Sequence, residues 1–129
     1  MLLGVARELL SRGDVDQTFV KRWVNWKEYL AARDKGGNGS FERFLECLEN
    51  EYAEFTPEYV AEECKIPAET VAYLADNIAA AGSKFSSHLW RNTAAGNEGG
   101  WQVARSLLLL HVLSGSVGTR GGLNPNSWD

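Results

Sequence analysis

The sequence predicts a mainly α-helical fold with one short strand. Apolar residues recur at spacings of three and four along most of the chain, as they do in amphipathic helices. Residues that favour helix starts precede several of these stretches, and glycine follows them. One stretch alone, residues 84–90, alternates its side chains in the manner of a strand. The 129 residues suffice for a single hydrophobic core.

The first part of the chain is predicted to form two helices before a polar turn. Residues 2–12 carry a broad apolar face, and Gly13 ends the helix. Asp14 or Asp16 caps a second helix, which extends to about Arg33. Its apolar stripe is interpreted as part of the core rather than as a surface for ligand stacking. This stripe comprises Phe19, Trp23, Trp26 and Leu30.

Three further helices are predicted before residue 83. Ser40 caps a helix over residues 41–55. Thr56 and Pro57 form a strong start signal for a short helix, because the threonine hydroxyl caps it and proline suits the first helical position. The last of these helices ends at Gly82.

The last third of the chain is organised differently. The predicted strand is followed by a polar loop, by the helix Trp101–Leu113, which is apolar nearly all round, and by a glycine-rich loop. Residues 1–129 are thus predicted to form one unit with a helical part, 1–82, and a strand–loop–helix–loop part, 83–129. A lone strand leaves its backbone groups without partners, and the apolar helix needs cover on most sides. The chain is therefore predicted to be a piece of a larger domain.

The charge of the chain is unevenly distributed. Residues 1–82 carry nine Lys and Arg against fifteen Asp and Glu, whereas residues 83–129 carry four against two. An acidic body with a mildly basic, glycine-rich tail suits a local anion site better than a general nucleic-acid surface. No apolar run is long enough for a membrane span. No membrane span is therefore predicted.

Cysteine usage predicts no metal site. Cys47 and Cys64 stand alone, without a second cysteine or a histidine at ligand spacing. Reduced, half-buried cysteines on helices are the preferred interpretation. A disulfide between them is the alternative.

Residues 56–79 have the outline of a helix-turn-helix, which makes an interaction or DNA-binding module the alternative function. Between residues 56 and 82, five acidic side chains accompany a single basic one, Lys65. Such a surface repels phosphates, and the second helix has no Arg, Lys or Gln with which to contact bases. A structural hairpin is preferred, and no nucleic-acid partner is expected.

Two polar loops that contain glycine flank the last helix. They are RNTAAGNEGG at residues 91–100 and SGSVGTRGGLNPNSWD at residues 114–129. Backbone N–H groups in such loops bind phosphate, and Arg91 and Arg120 add positive charge. The sequences match neither G-x-G-x-x-G nor the P-loop, so plain turns are the alternative interpretation.

The order of these motifs resembles the molybdopterin oxidoreductases of the dimethyl sulfoxide reductase superfamily. In that family a helical stretch of the type EYTPEW-A-E-x-x-G-[IV]-P-A-E-x-I precedes a strand, a glycine-containing loop, an apolar helix and LTGN-[IV]-G-x-P-G-G. The matching residues are FTPEYVAE at 55–62, IPAETV at 66–71 and LSGSVGTRGG at 113–122. The resemblance covers essentially the whole chain, although Arg120 replaces the usual proline.

The resemblance implies an incomplete, internal piece of the α/β, Rossmann-like domain that binds molybdopterin in a large catalytic subunit. It implies molybdopterin guanine dinucleotide with molybdenum or tungsten in the parent, and no cofactor on this piece alone. The expected partners are the rest of the parent subunit and an iron–sulfur electron-transfer subunit. The isolated chain is expected to be inactive. It is also expected to self-associate, because the strand edge with Phe85, Leu89 and Trp90 is uncovered.

The resemblance also implies a set of cofactor-binding residues, with no catalytic residue and no metal ligand among them. The second loop is expected at the cofactor, and the first near the active-site funnel. His88 either faces that site or is structural, whereas His111 on its apolar helix is expected to be structural. The expected binding residues are Arg91, Asn92, Asn97, Gly115, Ser116, Gly118, Thr119, Arg120, Gly121, Gly122 and Asn124.

Overall fold

A computed structural model describes residues 1–34, 39–89 and 96–124. Within these ranges the chain is helical, so the prediction of a mainly α fold is confirmed. A short 3-10 turn occupies Gly82–Lys84. The α-helices are α1 (Leu2–Arg12), α2 (Gln17–Trp23), α3 (Trp26–Arg33), α4 (Phe41–Tyr52), α5 (Pro57–Cys64), α6 (Glu69–Ala81) and α7 (Gly100–Leu113).

Helix α1 lies at the centre of the fold, where α4, α6 and α7 all pack against it. It buries Val5, Ala6, Leu9 and Leu10, which share one face because of their spacing. The other helices contribute their apolar faces to the same core. These residues are Val20, Leu30, Phe41, Phe44, Leu48, Val60, Val71, Ala75, Ile78, Leu110 and Leu113.

The predicted second helix is in fact two helices. Helix α2 ends at Trp23, and α3 begins at Trp26 after Val24 and Asn25 have left helical geometry. At the break the Trp26 indole N–H donates to the Lys21 carbonyl at 3.3 Å. This bond satisfies one of the carbonyls that the end of a helix leaves without an internal partner.

The break turns the two tryptophans in different directions. Trp26 packs edge-on against Phe41, with ring centroids 5.5 Å apart, and also contacts Phe44. Trp23 is 66% exposed, and the Arg22 guanidinium lies over its ring. The prediction of one core stripe is therefore wrong at Trp23, because the change of helix direction removes it from the shared face.

The predicted strand at residues 84–90 is not formed within the described part of the chain. Residues 85–89 are irregular and belong to no ladder. The alternation of side chains persists over residues 85–87, since Phe85 and Ser87 are half-buried while Ser86 is exposed, but it is lost at Leu89, which is exposed. A strand needs a neighbour to pair with, and the described residues provide none at this position. The prediction of a strand is corrected accordingly.

Helix α7 is buried on one side only. Leu110 and Leu113 lie in the core, whereas Trp101 and Leu108 are 66% and 48% exposed. The apolar composition of this helix predicts cover on most sides, and cover on one side only agrees with the prediction that the chain is a piece of a larger domain. The described residues leave one apolar face uncovered.

The hairpin of α5 and α6 starts after Thr56 and ends at Gly82, as predicted, although α6 begins at Glu69, two residues after the predicted start. The Thr56 hydroxyl accepts a hydrogen bond from the Tyr59 N–H at 3.2 Å and so caps α5. Helix α5 ends at Lys65, which adopts the left-handed conformation with φ 55°. Among the described residues, no other residue except glycine has a positive φ. Gly82 ends α6, as predicted.

Candidate functional site

The glycine-rich loop after α7, described over residues 114–124, is tied together by backbone hydrogen bonds. The Gly118 N–H donates to the Leu123 carbonyl and the Leu123 N–H donates to the Ser116 carbonyl, both at 2.8 Å. The Gly122 N–H donates to the Thr119 carbonyl at 3.1 Å and closes a turn. The loop is therefore a compact, ordered element of the fold.

Two glycines of this loop permit close approach by groups of the same chain. A Cβ atom at Gly115 would lie 2.5 Å from Asp16 Oδ2. A Cβ atom at Gly122 would overlap the Ser116 carbonyl and would lie 2.9 Å from the Ser83 carbonyl. Glycine is thus required at both positions by internal packing.

Asp16 connects the loop to the start of α2. Its Oδ1 accepts a hydrogen bond from the Phe19 N–H at 2.8 Å, so Asp16, and not Asp14, is the N-cap of this helix. Its own N–H donates to the Leu113 carbonyl at 2.8 Å. The end of α7 and the beginning of α2 are therefore held side by side.

His111 lies in the core beneath the loop and is 1% exposed. Its Nε2 is 2.6 Å from the Ser87 hydroxyl, and its Nδ1 is 2.7 Å from the Ser116 hydroxyl. The ring stacks on Phe85 with centroids 4.4 Å apart. Burial lowers the pKa of the imidazole, which favours the neutral form. This environment agrees with the structural role expected for His111.

The hydroxyl groups of Ser114 and Thr119 make two further hydrogen bonds near His111. The Ser114 hydroxyl donates to the Ser116 hydroxyl at 3.0 Å. The Thr119 hydroxyl donates to the Ser83 carbonyl at 2.5 Å. The loop is therefore joined to residues 83–87 directly, from Thr119 to Ser83, and through His111, from Ser116 to Ser87.

The outer side of the loop offers unused donors. Gly118, Arg120, Gly121 and Asn124 are exposed. Within the described ranges, the N–H groups of Thr119, Arg120 and Gly121 donate to no acceptor. Neutral N–H donors beside an arginine are the groups that bind phosphate and other anions in proteins.

The structure thus divides the predicted binding residues by position. Ser116, with Gly115 and Gly122, is turned inward, and the outer side of the loop carries the exposed residues. Asn97 is exposed just before α7. Arg91 and Asn92 lie outside the described residues, and so does Trp90.

Sequence reasoning did not identify three of the residues that shape the loop, Asp16, Ser83 and Ser87. For Ser87 a signal was present, because the alternation at residues 84–90 places it on the same side as Phe85. For Asp16 and Ser83 nothing in the local sequence indicates a contact with a loop so distant along the chain.

Other kinds of site find no support in the part of the chain that the structure describes. It holds no cluster of three His, Cys, Asp or Glu side chains suited to a metal ion. Cys47 and Cys64 are free thiols, so the disulfide alternative is not realised. None of the described helices has the length and apolarity that crossing a bilayer requires.

The α5–α6 hairpin also lacks a surface for nucleic acid. Helix α6 buries Val71 and Ile78, and it packs against α1. Its exposed side carries Asp76, which pairs with Arg12 at 2.6 Å. Neither α5 nor α6 contains a basic residue. This arrangement favours the structural hairpin over the DNA-binding alternative.

Comparison with known proteins connects the chain to a group of reductases. Dimethyl sulfoxide reductase DmsA of Haemophilus influenzae is 28% identical over 123 residues, which cover 95% of this chain and 15% of the relative. The probable dimethyl sulfoxide reductase chain YnfF of Escherichia coli is 29% identical, over 97% of this chain and 16% of the relative. The matches support the dimethyl sulfoxide reductase family.

This finding confirms the dimethyl sulfoxide reductase resemblance stated from the motifs. DmsA of Escherichia coli matches in the same way, with 26% identity over 92% of this chain and 14% of the relative. The chain spans about 15% of the length of the curated relatives that it matches. No family model matches the chain, and no solved structure matches it significantly.

Proposed function

We propose that this chain is one segment of a larger oxidoreductase of the dimethyl sulfoxide reductase family and helps to form its molybdopterin site. The observation that carries this proposal is that almost the whole chain matches about 15% of the length of relatives that are named as dimethyl sulfoxide reductases. When bound, a molybdenum or tungsten pterin cofactor supplies two-electron redox chemistry, while the protein binds and orients it.

The outer side of the glycine-rich loop fits an anionic cofactor. The free N–H groups of Thr119, Arg120 and Gly121 and the Arg120 guanidinium are donors of the kind that bind the pyrophosphate of a dinucleotide. Gly118 and Asn124 are exposed beside them. In this proposal these five residues hold the phosphate groups of molybdopterin guanine dinucleotide.

The inward residues have a different role in the proposal. Gly115 and Gly122 allow the loop to pack closely on Asp16 and Ser83. The Ser116 hydroxyl is engaged by His111, so Ser116 shapes the loop and does not bind the cofactor through its side chain. The family resemblance is the reason for proposing that the first loop, with Arg91, Asn92 and Asn97, lies near the active-site funnel.

The isolated chain is proposed to be inactive, because it spans only about 15% of the relatives' length. The rest of a parent catalytic subunit would complete the site. An iron–sulfur subunit is proposed as the electron-transfer partner of that parent.

A loop exchange in a known reductase tests the proposal. Residues 114–124 would replace the matching segment of Escherichia coli DmsA, and molybdenum content and dimethyl sulfoxide reduction would be measured. We expect the exchanged enzyme to retain molybdenum. Arg120→Glu in the transferred loop should then lower molybdenum occupancy by at least about tenfold, since a charge-assisted hydrogen bond contributes about 1.5–3 kcal/mol.

The control for this experiment is a negative charge placed away from the loop. A glutamate would be placed at the DmsA position that matches Lys27, an exposed residue of α3 outside the loop, and it should leave the molybdenum content unchanged. Full molybdenum content in the Arg120→Glu enzyme would contradict the proposed role of the loop.

A further inference from the structure

The glycine-rich loop and residues 83–87 meet through one buried side chain, His111, whose two nitrogens contact one serine from each segment. We propose that His111 is a positioning residue: in its neutral form it locks the loop to residues 83–87 and thereby fixes the outward N–H groups of the loop. That these N–H groups face an anionic cofactor rests on the proposed function. The lock itself rests on the contacts of His111.

The hydroxyl groups around His111 select one tautomer. The Ser116 hydroxyl accepts from Ser114 and has two acceptors in reach, the His111 carbonyl at 3.4 Å and Nδ1 at 2.7 Å. With the ring hydrogen on Nδ1, the Ser116 proton would be left with the carbonyl at 3.4 Å, so we assign that proton to Nδ1. Nε2 then carries the ring hydrogen and donates to Ser87 at 2.6 Å.

Protonation of the imidazole would disrupt this arrangement. Both nitrogens would then donate, and the Ser116 proton would be left with the carbonyl at 3.4 Å, a weak acceptor geometry. Burial is the cause of the lowered pKa of His111, and no charged group contributes to it. Among the described helices, α1 and α2 pack against α7. With the 3-10 turn, the loop and α7 itself, these elements carry the following charged side chains: Arg7, Glu8, Arg12, Asp16, Lys21, Arg22, Lys84, Arg105 and Arg120.

Ser87 offers the sharpest test, because no hydrogen bond joins it to the loop except through His111. Ser87→Ala would be made in the 129-residue chain, and the protection of the Gly118 and Leu123 amides measured by hydrogen exchange. Both amides close the loop. Loss of one hydrogen bond is worth about 0.5–1.5 kcal/mol, so their protection should fall about threefold to tenfold.

Ser86→Ala is the matched control, since Ser86 is the exposed neighbour of Ser87. It should leave the protection of the loop unchanged. Ser116→Ala should lower the protection, and the double variant Ser87→Ala/Ser116→Ala should lose less than the sum of the two effects, because both bonds act through His111. Unchanged protection in Ser87→Ala, or strict additivity, would overturn the lock.

A second variant separates positioning from packing. His111→Phe keeps an aromatic ring against Phe85 but cannot bond either serine. Loop protection in the unsubstituted chain should fall between about pH 7 and pH 5, and His111→Phe should show low protection at both values. Full protection of the loop in this variant would overturn the proposal; if the variant does not fold, Ser87→Ala decides.

These measurements use no cofactor and are therefore independent of the loop exchange in DmsA. Unchanged amide protection in Ser87→Ala would overturn the lock and leave the cofactor proposal unaffected. Full molybdenum in the Arg120→Glu enzyme would overturn the cofactor proposal and leave the lock standing.

Discussion

Replacing Gly115 with alanine should destabilise the chain by about 1.5–4 kcal/mol. Gly115 has φ 67°, a conformation that costs a residue with a Cβ atom about 1–2 kcal/mol. The new methyl group would lie 2.5 Å from Asp16 Oδ2, so the aspartate must move. A displaced Asp16 no longer accepts from the Phe19 N–H, and loss of such a cap costs about 0.5–2 kcal/mol.

Urea unfolding followed by far-UV circular dichroism measures this effect. Gly118→Ala is the matched control: its φ is 74°, but no atom lies within 4 Å of the new Cβ, so only the backbone cost of about 1–2 kcal/mol applies. Adding Asp16→Gly to Gly115→Ala should recover stability, because glycine caps almost as well and leaves space. Equal stability of the two alanine variants would refute the reasoning.

Three further measurements probe the pKa of His111, the metal content and the uncovered apolar surface. Between about pH 7 and pH 5 the free energy of unfolding should fall, because unfolded His111 binds a proton near pH 6.5 while folded His111, with its lowered pKa, resists protonation. His111→Gln should reduce this fall in urea titrations. The same fall in His111→Gln would show that His111 does not cause it. The purified chain should contain no stoichiometric molybdenum or tungsten, and elemental analysis showing either metal at one per chain would disprove this. The chain should self-associate at concentrations on the order of tens of micromolar, and Leu89→Lys or Leu108→Lys should shift its sedimentation toward the monomer. A monomeric unsubstituted chain would refute the predicted self-association.

The ends of α1 and α6 and the start of α5 could be predicted from the sequence because local chemistry sets them. Gly13 and Gly82 end α1 and α6 with positive φ values, and the Thr56 hydroxyl caps α5. Each of these interactions involves residues within about one helical turn. The rest of the fold has little influence on them.

Features that depend on distant residues were not predictable in this way. The stripe of Trp23 and Trp26 has the correct period, but the contact of Trp26 with Phe41 on α4 decides which ring is buried. A serine in a glycine-rich loop is expected at the surface, yet His111 turns Ser116 inward. Likewise, alternation can show which side chains face the core, but it cannot provide the second strand that a ladder requires.

Lys65 ends α5 in a backbone conformation that glycine usually occupies. The chain turns out of α5 there with φ 55°, a conformation that glycine adopts without steric cost. Because a lysine adopts this conformation, the path of the hairpin is determined by its neighbours and not by residue 65 itself. This tolerance leaves an opening for protein engineering: Lys65→Gly would raise the stability by up to about 1 kcal/mol while leaving the glycine-rich loop untouched.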